Sequence, residues 1–96
     1  DLTVAVNFVD AGYELAQNRP NPFSGETLIQ ITLPEAQRAS LTVSDVTGKV
    51  LKVVTQNFEA GYNEVKLNSK ELASGVLYYT LRTDNFTATR KMVIME

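Results

Sequence analysis

Leu41-Thr42-Val43-Ser44-Asp45-Val46-Thr47-Gly48-Lys49-Val50 is the stretch that decides the fold class. Leu41, Val43 and Asp45 alternate with Thr42, Ser44 and Val46. Successive side chains of a strand point to opposite sheet faces, so the segment reads as a half-buried strand. Thr47-Gly48 then separates two apolar runs. Gly at a position needing positive φ lets the chain reverse tightly, so Ser40 to Phe58 is predicted to form a hairpin. Asp45 shares strand parity with Leu41 and Val43, and the stronger reading gives its carboxylate to backbone N–H groups of the turn at Gly48.

Working outward, the same period of two fits Thr3 to Val9, Tyr13 to Gln17, Thr27 to Leu33, Ser40 to Val46, Val50 to Phe58, Asn63 to Leu67, Leu77 to Thr83 and Phe86 to Met95. Val, Ile and Thr crowd every candidate helix and turn formers interrupt it, so the class is all-β. A single helical or 3₁₀ turn over Ser69 to Leu72, capped by Ser69, is the one exception. Ala60-Gly61 and Ser74-Gly75 read as tight reversals like Thr47-Gly48, with Gly48, Gly61 and Gly75 as structural turn residues. Asp84-Asn85 should close a last hairpin. Pro20 and Pro22 cannot donate ladder bonds, which leaves Asn18 to Gly25 as a loop or edge segment, and Pro34 caps the strand before it.

Short antiparallel strands with closely spaced turns predict a two-sheet antiparallel sandwich, immunoglobulin-like and Greek-key in its wiring. The inward sets read as Leu28 or Ile29 with Ile31 and Leu33; Leu41 and Val43; Leu51 and Val53; Val65 and Leu67; Leu77, Tyr79 and Leu81; and Ala88, Met92 and Ile94. A slip of one residue inverts the set for its strand. Residues 1–12 read as a linker or an extra first strand, and 13–96 as the domain proper. Asp1 in place of Met suggests a piece of something longer or a processed product.

The chain of 96 residues fits one domain, and 44% hydrophobic with 21% charged residues is ordinary globular usage. Nine basic and 11 acidic residues are scattered to a net charge of -2, so no patch favours nucleic acid or anionic lipid. Cys and His are both absent, which removes disulfides, thiol nucleophiles, Ser-His triads and His-ligated zinc. The remaining acids do not pair into a cleft or a calcium loop, so no catalytic, metal or cofactor residue is expected. No apolar run approaches the roughly 20 residues of a membrane helix, so no membrane insertion is expected. Tyr78 and Tyr79 point to opposite faces, so at most one meets solvent. Asn85-Phe86-Thr87 fits a glycosylation sequon but reads as a turn, and Arg90-Lys91 reads as a solvated edge.

Six motifs in order, from Leu15 to Glu96, resemble the type A C-terminal sorting domains carried by cargo of the Bacteroidetes type IX secretion system. Leu15-Ala16-Gln17-Asn18-Arg19-Pro20-Asn21-Pro22-Phe23 is similar to the family's opening motif, and Thr27 to Pro34 to its following strand. Leu41 to Val50 resembles its Asp-x-x-Gly hairpin, and Ala60-Gly61-Tyr62-Asn63 its Ala-Gly turn. Leu72-Ala73-Ser74-Gly75-Val76-Leu77-Tyr78-Tyr79 follows Leu-x-x-Gly-Val-Tyr, with Leu77 where an aromatic is usual. Lys91-Met92-Val93-Ile94-Met95-Glu96 resembles the closing signature.

The resemblance implies a sorting signal rather than an enzyme, joined to an N-terminal cargo domain in the same chain. It implies recognition by the type IX translocon and its shuttle proteins, passage through the periplasm, and removal by a sortase-like cysteine protease before Leu15. The cargo would then reach the cell surface, attached to anionic lipopolysaccharide, or the medium. Asn21, Pro22, Phe23, Lys91, Met92, Val93, Ile94 and Met95 are the implied recognition residues. The last strand, as a sheet edge, would accept a receptor strand by β-augmentation. The rival readings are a carbohydrate-binding or adhesive sandwich and a structural spacer.

Overall fold

The computed structural model describes residues 12–95. Seven strands follow in chain order: β1 (Glu14–Leu15), β2 (Glu26–Leu33), β3 (Gln37–Asp45), β4 (Val50–Phe58), β5 (Gly61–Asn68), β6 (Gly75–Arg82) and β7 (Thr87–Ile94). They form two antiparallel sheets packed as a sandwich, one ordered β1-β2-β5 and the other β4-β3-β6-β7. The neighbours β2–β5 and β3–β6 are not consecutive, as Greek-key wiring requires, and the order is consistent with an immunoglobulin-like sandwich. The strand expected at Thr3 to Val9 and most of the linker at 1–12 lie outside the described residues.

Alternation places the core. Ile29, Ile31 and Leu33 of β2 and Val65 and Leu67 of β5 meet Leu41 and Val43 of β3, Leu77, Tyr79 and Leu81 of β6, and Met92 and Ile94 of β7 in one buried cluster. Of the pair Leu28 or Ile29, Ile29 is the inward residue. Val53 departs from expectation: it is 54% exposed, while Val54 packs against the core beside Leu51. A bulge is the reason. Val43 pairs with Lys52 but Ser44 pairs with Val50, so Leu51 is an extra residue and the parity of β4 flips after it.

Asp84-Asn85 closes a hairpin between β6 and β7, where the Thr83 N–H donates to the Phe86 carbonyl at 2.8 Å. The turn before Gly48 does the same for β3 and β4. Gly48 adopts φ +92, and the Asp45 carboxylate accepts from Thr47 N–H at 2.9 Å, Thr47 Oγ1–H at 2.6 Å and Lys49 N–H at 3.0 Å.

The other two glycine reversals are not hairpins. Gly61 (φ +89) and Gly75 (φ +105) stand where the chain changes sheet, from β4 to β5 and from β5 to β6. Buried Phe58 anchors the end of β4 in the core. Asn63 then staples the crossing, accepting from Glu59 N–H at 3.1 Å and donating to the Glu59 carbonyl at 2.9 Å. In the second crossing the 3₁₀ turn spans Ser69–Glu71, and its cap is Asn68, not Ser69. The Ser69 hydroxyl instead accepts from Gly25 N–H at 2.9 Å.

The Asp45 bonds, led by the one from the Thr47 hydroxyl, hold its carboxyl below its usual value of 3.8. A depressed folded-state pKa contributes stability that is present above the unfolded value and lost as pH falls through the folded one. Thermal unfolding followed from pH 6 to pH 2 should therefore show a drop below about pH 4 that is smaller in Asp45→Asn.

Candidate functional site

The opening motif runs from one sheet to the other. β1 is shorter than the expected Tyr13 to Gln17 and pairs with β2 only at Glu14 and Leu15. Ala16 N–H still reaches the Gln30 carbonyl at 3.0 Å, and Arg19 exchanges two 2.9 Å backbone bonds with Leu28. Between these points the Gln17 side chain extends away from β2 and donates to the Lys91 carbonyl at 2.7 Å. Arg90, expected as a solvated edge residue, donates from Nε to the Leu15 carbonyl at 2.6 Å. The edges of both sheets are thus laced together at one side of the sandwich.

Residues 20–23 then strap across the end of β7. Phe23 N–H donates to the Val93 carbonyl at 3.0 Å and Met95 N–H to the Phe23 carbonyl at 2.7 Å, a short parallel bridge centred on Phe23 and Ile94. The Asn21 side chain completes it, accepting from Val93 N–H at 2.9 Å. Phe23 itself is 1% exposed and fills the sandwich end. Asn21-Pro22-Phe23 and Lys91 to Met95, joined across 72 positions of chain between Asn21 and Val93, are therefore one contiguous element.

A buried polar cluster holds the strap from beneath. The Tyr79 hydroxyl donates to the Ala16 carbonyl at 2.7 Å and accepts from Asn18 N–H at 2.8 Å. Asn18 Nδ2 donates to the Thr27 hydroxyl at 3.0 Å and to the Pro20 carbonyl at 3.1 Å, and the Thr27 hydroxyl donates to the same carbonyl at 2.9 Å. Gln17 Nε2 satisfies Asn18 Oδ1 at 2.7 Å. Among the described residues no buried side-chain polar atom is left without a partner, so the strap is fixed rather than merely laid on the surface. Burial pushes the Tyr79 phenol up to about 12. Periodicity counts Tyr79 only as a core ring; its hydroxyl leaves no trace in the pattern.

The eight motif residues divide by exposure. Phe23, Met92 and Ile94 are buried, Val93 is half-buried, and Asn21, Pro22, Lys91 and Met95 face solvent. A partner that meets the folded domain can touch only the half-buried and solvent-facing ones. The edge expected to accept a receptor strand is also occupied: the outward Lys91 and Val93 carbonyls and the Val93 and Met95 N–H groups already bond to Gln17, Phe23 and Asn21. Among the described residues no His, Cys, Asp and Glu cluster is suited to a metal, and no helix is long and apolar enough to cross a membrane.

What this geometry defines is a small all-β module whose marked residues build a surface rather than a cleft. A model of the family described as "Secretion system C-terminal sorting domain" matches residues 19–95. The chain belongs to that family, the sorting tails of type IX secretion cargo, which is a family of signals and not of enzymes. No curated protein matches the chain. The family implies cargo that is secreted or held at the cell surface.

Proposed function

We propose that residues 13–96 address an N-terminal cargo domain to the type IX outer-membrane translocon through the composite surface of Asn21, Pro22, Lys91, Val93 and Met95, with residues 1–12 as the connection to the cargo. The observation that carries this reading is the bonding of the two family motifs into one element at the edge of β7. Because that edge is filled from within, the receptor reads side chains and a fixed contour instead of adding a strand at Lys91 to Met95. Shuttle components would collect the folded domain in the periplasm. A sortase-like cysteine protease would then cut before Leu15, releasing the cargo or joining it to surface lipopolysaccharide.

Deleting Lys91 to Glu96 is a poor test, since it removes Met92 and Ile94 from the core. A point change serves better. A fluorescent reporter ending in this domain should leave cells that possess the machinery, and the mass of the released reporter should place the cut before Leu15. Asn21→Ala, at an exposed position with one bond to Val93, should leave a folded domain by circular dichroism yet reduce release several-fold. Retention of the unaltered fusion inside such cells would sink the proposal.

A further inference from the structure

The two outer faces of the sandwich differ in kind. On the β1-β2-β5 sheet the outward strand positions carry Glu14, Glu26 and Glu64 against Lys66. On the β4-β3-β6-β7 sheet the outward strand positions carry Arg38, Arg82 and Lys91, and among the described residues no carboxylate. Arg38 and Arg82 lie toward one end, where they share an open depression with Asp84 of the β6–β7 turn.

The opposite end is apolar. Register places Val50 beside Ser44, Ser44 beside Tyr78 and Tyr78 beside Lys91, with Val53 beside Thr42 one step along and Val76 beside Val93 at the rim. Val50, Val53, Val76 and Tyr78 are all exposed, at 53%, 54%, 39% and 36%, and Val46 in the adjoining turn is 68% exposed. Of the large exposed hydrophobic residues among those described, only Tyr62 belongs to the other sheet, and Met95 follows β7 at this same end. A clustered apolar area of this sort on a domain whose core is otherwise complete marks an interaction surface. Two cations border it: Lys49 in the β3–β4 turn, which stands beside Asp45, and Lys91 on β7, which makes no salt bridge among the described residues; the Asp45 carboxylate is committed to its turn. The patch is continuous with the composite surface through Lys91 and Val93.

We infer that this end of the β4-β3-β6-β7 face docks a protein partner that presents apolar side chains around a carboxylate, the carboxylate meeting Lys91. The inference rests on the sorting reading and extends it from the strap edge to the sheet face, with Val53 and Tyr78 as contact residues. Tyr78 is of the residue type that dominates interface energetics, and the exposed valines supply an apolar surround that keeps water from it.

The test uses the same reporter fusion. Val53→Asp should cut release by about tenfold or more, equivalent to about 1.4 kcal/mol of lost contact, whereas Tyr62→Asp on the opposite sheet should be released like the unaltered fusion. Both variants should unfold at similar temperatures. A photo-crosslinking residue at position 53 should form an adduct with another protein that disappears in Lys91→Glu and persists in Lys91→Arg. Normal release of Val53→Asp overturns the inference while leaving the sorting reading intact, and retention of the unaltered fusion overturns the sorting reading. An adduct with a second copy of this chain, or within the chain to residues 1–11, overturns the proposed occupant.

Discussion

Phe23→Ala is expected to lower the unfolding free energy by about 3–5 kcal/mol, the usual cost of emptying a buried aromatic site. Domains of this size hold only about 5–15 kcal/mol in total, so the change removes much of the margin. The reason lies in where the ring sits. Phe23 is 1% exposed at the end of the sandwich, and its own N–H and carbonyl make the two backbone bonds that join the strap to Val93 and Met95. Losing the ring therefore frees the backbone it anchors. Urea titration by circular dichroism measures the first effect, and faster hydrogen exchange of the Met95 amide reports the second. Phe23→Leu should recover most of the loss, and a cost below about 1 kcal/mol in the Ala variant would contradict the packing described.

The second large effect belongs to Tyr79→Phe. The ring stays, but the buried Asn18 N–H loses its acceptor and the partly buried Ala16 carbonyl its donor. Leaving such groups unpaired costs about 1–3 kcal/mol. Alkali supplies an independent readout. Burial raises the Tyr79 phenol from 10.0 to about 12, so the unfolded chain gives up this proton first. The native state then holds more protons than the unfolded one, and stability falls as pH rises between about 10 and about 12, by about 1.4 kcal/mol per pH unit from this group. Below that window the group contributes no slope. The Phe variant should be less stable at neutral pH and should decline less steeply in alkali; parallel curves would mean that the hydroxyl is not held as described.

The same residue shows what a sequence discloses. Tyr79 alternates with Leu77 and Leu81, so its place in the core follows from period alone, as do the inward sets of β2, β3 and β5. That signal is strong because each of these strands buries the apolar residues of one face and leaves the other face less buried. It fails at β4, an edge strand whose bulge changes parity without any glycine or proline to announce it. It fails again at Gly61 and Gly75. A reversal within a sheet and a crossing between sheets need the same backbone freedom, and only the distant partners of the next strand tell them apart. The candidate surface was legible in half. Its two motifs stand out through family resemblance, but bonds such as Gln17 to Lys91 and Asn21 to Val93 connect residues with no local pattern in common.

If that composite surface is the address, the lacing of Asn21 to Val93, across 72 positions of chain, also makes it self-authenticating. The letters of the label are present in any copy of the polypeptide, including one newly synthesised or misassembled, but their juxtaposition exists only after both sheets have closed. A receptor that grips both halves at once is thereby a proof-reader, passing finished molecules and ignoring the same words spelled out on an open chain.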